Sequence, residues 1–131
     1  MILRALACLL HACLAGAALA QQPGSCAGPT TAELRRCAAE ALRDAEQEMS
    51  RYLDAARAVA RPESALSAAQ EAWTRYRDAA CRGAGGQFEG GSLQPVVVLD
   101  CRVRLTRERT REMWRAYLAE QGGLPDPGPS R

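Results

Sequence analysis

The side chains able to do chemistry are few, and several sit at the N-terminus. The chain of 131 residues carries six cysteines (Cys8, Cys13, Cys26, Cys37, Cys81 and Cys101), one histidine (His11) and 15 carboxylates. Residues 1–20 read as an export signal. Arg4 supplies a short positive start, residues 5–18 form an apolar run broken only by His11, and Ala18-Leu19-Ala20 is a small-x-small cleavage site before Gln21. The run is shorter than a membrane span requires, so no stable membrane insertion is expected. Leu10-His11-Ala12-Cys13 loosely resembles a lipobox, making lipid attachment at Cys13 the minor alternative, but the apolar run continues beyond it. Cleavage after Ala20 removes His11, Cys8 and Cys13 together and places the rest in the periplasm or outside the cell.

That loss excludes much chemistry. Without histidine there is no Ser-His-Asp triad, no Cys-His nucleophile pair and no His-ligated zinc. The remaining Cys26, Cys37, Cys81 and Cys101 lack the paired C-x2-C spacing of a four-cysteine zinc site. An even cysteine count in a small exported domain instead reads as two disulfides. Four cysteines allow three pairings, and the spacing does not choose among them. No metal and no cofactor is expected. The enzyme option left is a glycosidase with paired carboxylates, and acids scattered over helix faces do not favour it. The 17 basic residues, all arginine, against 15 acids give a net charge of +2, too small to imply nucleic acid as a partner.

The elements that must position these groups are helical. Thr30 is a good N-cap with Glu33 as its capping-box partner. From there Leu34, Cys37 or Ala38, Ala41, Ala45, Met49, Tyr52, Ala56 and Val59 form one apolar stripe. Pro62 ends that helix and suits the first turn of the next, whose inward stripe reads Leu66, Ala69, Trp73, Tyr76 and Ala80. Gly83, Gly85, Gly86, Gly90 and Gly91 predict a long flexible loop. A last helix starts between Ser92 and Val96 and runs to about Gln121, with Val97, Cys101, Leu105, Met113 and Tyr117 inward and Gly122-Gly123 ending it. Val96-Val97-Val98-Leu99 is read as helix, because a single strand has no partner. The fold class is all-α: a small antiparallel bundle of three main helices stapled by two disulfides. Its layout is a signal peptide at 1–20, a helical domain at 21–121 and a disordered Pro/Gly tail at 122–131.

Cys26 and Cys37, the block Q-x-x-W-x-x-Y-R-x-x-x-C (Gln70, Trp73, Tyr76, Arg77, Cys81), Gly90-Gly91-Ser92, and Cys101 with Leu105-Thr106 and Arg109 follow in order. Together they resemble the LprI family, named for a bacterial lysozyme inhibitor, from about Cys26 to Leu118. The middle block is the specific part. The resemblance implies an all-helical domain, the disulfides Cys26–Cys37 and Cys81–Cys101, and a non-enzymatic protein that binds and blocks lysozyme or another muramidase in the envelope. It carries over no inhibitory residue. An envelope scaffold with a different partner is the alternative.

Five residues are candidates for partner binding. Gln70, Trp73 and Arg77 share one helix face with Tyr76 beside it, and an aromatic next to a guanidinium is a combination enriched at interface hot spots. The plainer expectation is that Trp73 fills the core and Arg77 satisfies buried carbonyls. Arg109 is expected to meet this face from the last helix, pairing Glu71 or Asp78. Phe88 and Glu89, between glycines, suit insertion into an enzyme cleft, although Phe88 could also fold back onto a thin core. Arg102, Arg104, Arg107, Arg109, Arg111 and Arg115 read as a solvated face with local ion pairs, or else as a basic patch for an anionic glycan. Animal-type lysozymes are strongly basic, so binding one needs a local acidic patch, for which Glu40, Asp44, Glu46, Glu48 and Asp54 are the candidates.

Overall fold

A computed structural model describes residues 30–129; the expected export signal, Cys26 and the expected Cys26–Cys37 bridge lie outside the described residues. Helix α1 spans Thr31–Val59. It opens with the expected capping box: the Thr30 hydroxyl accepts from the Glu33 amide at 3.2 Å, and the Glu33 carboxylate accepts from the Thr30 amide at 3.2 Å. Two of the helix's orphan donors are thereby satisfied. Its buried face is Ala38, Leu42, Ala45, Tyr52, Leu53 and Ala56, so the stripe turns slightly from the expected one and leaves Val59 exposed. The helix closes where the Ala60 amide donates to the Ala56 carbonyl at 2.8 Å and Arg61 donates to the carbonyls of Ala58 and Ala60.

Helix α2 follows at Glu63–Gly86 and α3 at Gln94–Met113, the latter including Val96 to Leu99 as expected. A π-helical turn, Trp114–Leu118, replaces the last α-helical turns expected there, and the Ala119 amide reaches back five residues to the Trp114 carbonyl at 2.8 Å. The three helices pack with α3 in the middle. It lies along both neighbours, whereas α1 and α2 touch each other over a short stretch. Tyr52, Leu53, Ala56, Ala60, Leu66, Met113 and Leu118 form the main core at the α1–α2 junction. Thr106 and Thr110 are fully buried on α3, and the Thr110 hydroxyl donates to the Thr106 carbonyl at 3.0 Å, so its burial leaves no orphan donor.

At the other end the Cys81–Cys101 disulfide joins α2 to α3 with Cα atoms 5.5 Å apart, one of the two bridges the resemblance implies. Beside it the expected flexible loop is absent. Helix α2 continues through Gly83 and Gly85 to Gly86, and the connection shrinks to residues 87–93. Gly85 explains why. A Cβ built there would overlap Val98 Cγ2 of α3, so glycine serves close helix approach here and not mobility. The connection itself is a chain of hydrogen-bonded turns: the Phe88 amide donates to the Gly85 carbonyl at 2.9 Å, and the Gly91 amide to the Phe88 carbonyl at 2.9 Å. Gly90 supplies the left-handed backbone (φ +74°) that reverses the chain.

The inward stripe of α2 also differs from expectation. Ala69 and Tyr76 face water, and the buried positions are Leu66, Gln70, Arg77, Cys81 and Gly85. Hydrophobicity misplaces this face because its centre is polar and satisfied across the helices. The tail, expected to be disordered, is instead seated on the bundle through residues 124–128. Three of its main-chain carbonyls accept hydrogen bonds from side chains of α1, α3 and the π-helical turn.

Candidate functional site

Arg77 is the hub of a polar cluster between the helices. Its Nη1 donates to Glu46 Oε1 of α1 at 3.0 Å and to Thr106 Oγ1 of α3 at 3.1 Å, and its Nε to Asp78 Oδ1 at 3.3 Å. The guanidinium lies 5.3 Å from the centre of the Trp73 ring, within cation–π range. Only 8% of Arg77 is exposed, so one buried cation ties all three helices together. Asp78 receives a second cation, Arg102, at 3.3 Å. Two turns earlier Gln70 is held between Met49 and Arg109: its Nε2 faces Met49 Sδ at 3.6 Å and its Oε1 accepts from Arg109 Nε at 3.1 Å. Arg109 pairs Glu112 at 3.3 Å, not Glu71 or Asp78, because Asp78 is already occupied by Arg77 and Arg102.

The block Gln70, Trp73, Arg77 is thus an adhesive between helices. The arrangement meets the physical demand of a buried charge, which is tolerable only when paired and hydrogen-bonded. Of the five candidate partner-binding residues, the structure brings Trp73, Arg77 and Arg109 to this cluster and spends the two guanidinium groups and the Trp73 ring face internally. It leaves Phe88 and Glu89 apart from them, on the α2–α3 connection. Phe88 is 42% exposed and does not fold back onto the core. Leu93, at the other foot of the same connection, is equally open, and the sequence reading passed over it. Tyr76, 60% exposed, stands on the outer face of α2 with Ala69, Ala72 and Ala79, so the inward positions expected for Ala69 and Tyr76 are not found.

Among the described residues, several of the charged groups considered for patches are spent on neighbours of the opposite sign. Arg102 pairs Asp78, Arg104 pairs Glu108 at 2.9 Å, Arg109 pairs Glu112, and Arg111 turns to the tail. Of the α1 acids, Glu46 holds Arg77 and Asp54 pairs Arg57 at 3.4 Å. Asp44 and Glu48 line an open surface groove with Gln47, Ser50 and Arg51. These two carboxylates stand on one face of one helix, not opposed across a pocket as glycoside hydrolysis requires. Among the described residues, no helix is long and apolar enough to cross a membrane.

The described residues form a small disulfide-tied helical domain whose exposed large apolar side chains are Val59, Tyr76, Phe88 and Leu93. Residues 24–113 match the family described as lysozyme inhibitor LprI, and the chain belongs to that family. It is also similar to an uncharacterised protein of Rhizobium meliloti (strain 1021), 49% identical over 49 residues. That match covers 37% of this chain and only 35% of the relative. No solved structure matches.

Proposed function

We propose that this protein is exported through its first twenty residues and blocks a muramidase by placing the α2–α3 connection in the enzyme's substrate cleft. The observation that carries the reading is the exposed Phe88 on a connection that is short and held at both feet. Below it, Gly85 lets α2 lie directly against Val98, and the Cys81–Cys101 bridge fixes the two helices. A tip built this way loses little conformational freedom on binding, which is what lets a small contact reach useful affinity. Phe88 supplies the apolar anchor, Leu93 extends it, and Glu89 meets a basic rim without bulk charge attraction. Trp73, Arg77 and Arg109 act as scaffold under this reading and do not touch the enzyme.

The test is a peptidoglycan-turbidity assay with purified protein against animal and bacterial lysozymes. Phe88→Ala should weaken inhibition by about 2 kcal/mol, roughly thirtyfold in Kd, with the melting temperature unchanged. No slowing of lysis by micromolar wild-type protein across both enzyme classes would abandon the inhibitor reading in favour of an envelope scaffold.

A further inference from the structure

The far end of the bundle carries a second site, built from different residues. Tyr52 of α1 donates its hydroxyl to the Pro125 carbonyl at 2.7 Å. The indole Nε1 of Trp114 donates to the Leu124 carbonyl at 3.1 Å. Arg111, one turn before Trp114 on the same face, donates Nε to the Gly128 carbonyl at 2.7 Å and a second nitrogen to the same oxygen. The tail therefore runs back along α3, in a groove whose other wall is α1, after a reversal at Gly122 (φ +60°). Leu124, like Met49, Trp114 and Tyr117, packs against the core.

The chemistry of this groove is one-sided. All three polar groups reaching the tail are donors, and all three acceptors are main-chain carbonyls. The tail suits them. Proline has no amide hydrogen, and Pro125, Pro127 and Pro129 alternate with single residues. One of the remaining amides, that of Gly128, is spent within the tail on Asp126 Oδ1 at 2.8 Å. Each X-Pro pair also restricts the residue before it, so the segment enters the groove with little entropy left to lose. Aromatic donors reading the carbonyls of a proline-bearing segment is a general mode of peptide recognition. Trp114 and the tail lie beyond the residues matched to the family, 24–113.

We infer that Tyr52, Arg111 and Trp114 form a binding site for an extended, proline-bearing polypeptide segment, occupied in cis by the chain's own residues 124–128. The site selects by backbone carbonyls and proline spacing, not by charge. Its resident segment is a tethered competitor, so a free peptide sees only the fraction of molecules whose tail is out. This inference is independent of the inhibitor reading, which concerns the opposite end of the bundle.

The experiment uses the whole chain, labelled with 15N, and follows the Trp114 indole resonance with Trp73 as internal control. The probe is the peptide GLPDPGP, the sequence of residues 123–129, against a proline-free control GLADAGA. A loosened tail is made with Leu124→Ser, Pro125→Gly and Pro127→Gly, which leave the groove residues untouched. The loosened chain should bind GLPDPGP about tenfold more tightly than the wild-type chain does. Trp114→Phe in the loosened chain, which keeps the ring and removes the donor, should lose most of that binding, followed for this variant by the backbone amide resonances of residues 111–118. If the loosened chain binds GLADAGA as well as GLPDPGP, or shows no saturable shift with either at millimolar peptide, the inference is overturned.

Discussion

Trp73 with Arg77 and Trp114 with Arg111 are the same two side-chain types about one helical turn apart, and the molecule uses them in opposite ways. In the first pair the guanidinium is sealed between three helices, with Glu46, Thr106, Asp78 and the Trp73 ring around it. In the second pair both groups point at a segment of chain that could leave without disturbing any helix. Burial against permanent elements turns a tryptophan and an arginine into scaffold, whereas the same groups facing a removable segment make a site. Residue type does not distinguish the two, and the partner's own freedom does.

The comparison can be broken at Arg77. Arg77→Ala deletes a buried cation and leaves Glu46 and Thr106 without it, and stability should fall by about 3 kcal/mol. Thermal unfolding followed by circular dichroism should show a drop of more than about 10 °C for a domain this size. A drop of a degree or two would mean that the cluster is a surface feature after all. The matching change at the other pair, Arg111→Ala, should cost about 1 kcal/mol or less. It should leave the global transition nearly in place while heteronuclear NOE values fall across residues 124–128. A global loss equal to that of Arg77→Ala would erase the distinction between scaffold and removable segment.

The smallest effect is one of pH. Burial, the Glu48 carboxylate and the tail's own Asp126 push the Tyr52 phenol above its ordinary value, with Arg51 opposing them. A phenol whose folded value is raised stabilises the fold fully below the ordinary value of about 10 and loses that contribution as pH rises through the folded value. Ionisation also removes the hydrogen donated to Pro125. The Trp114 indole resonance should therefore move toward its tail-free position only above pH about 10, and stay constant from pH 6 to 9 on the same argument.

Much of the fold was legible in the sequence because local signals agreed with one another. Thr30 and Glu33 announced the start of α1, Pro62 the break after it, and the 3.6-residue spacing the helical class. Reading failed where a residue's role depends on what lies opposite. Gly85 looked like loop material until Val98 was seen against it. Gln70 and Arg77 were placed on the correct helix face, but Ala69 and Tyr76 were taken for core because apolar type outweighed the polar partners waiting on α1 and α3. Phe88 and Glu89 stood out because glycines isolate them. The tail was unreadable for a different cause. Its contacts run through carbonyls, which every residue possesses, so nothing in the side-chain pattern signals them.

The crosslink between Cys81 and Cys101 has a consequence for durability. It brackets the whole exposed connection, Arg82 and Glu89 included, so an endopeptidase cutting anywhere along that stretch would produce a nick without a separation. Both halves would stay joined through sulfur, with α3 still wedged between its neighbours, and the cut molecule would travel as one species on a non-reducing gel. The exposed peptide bonds of that connection therefore lie inside a covalent ring.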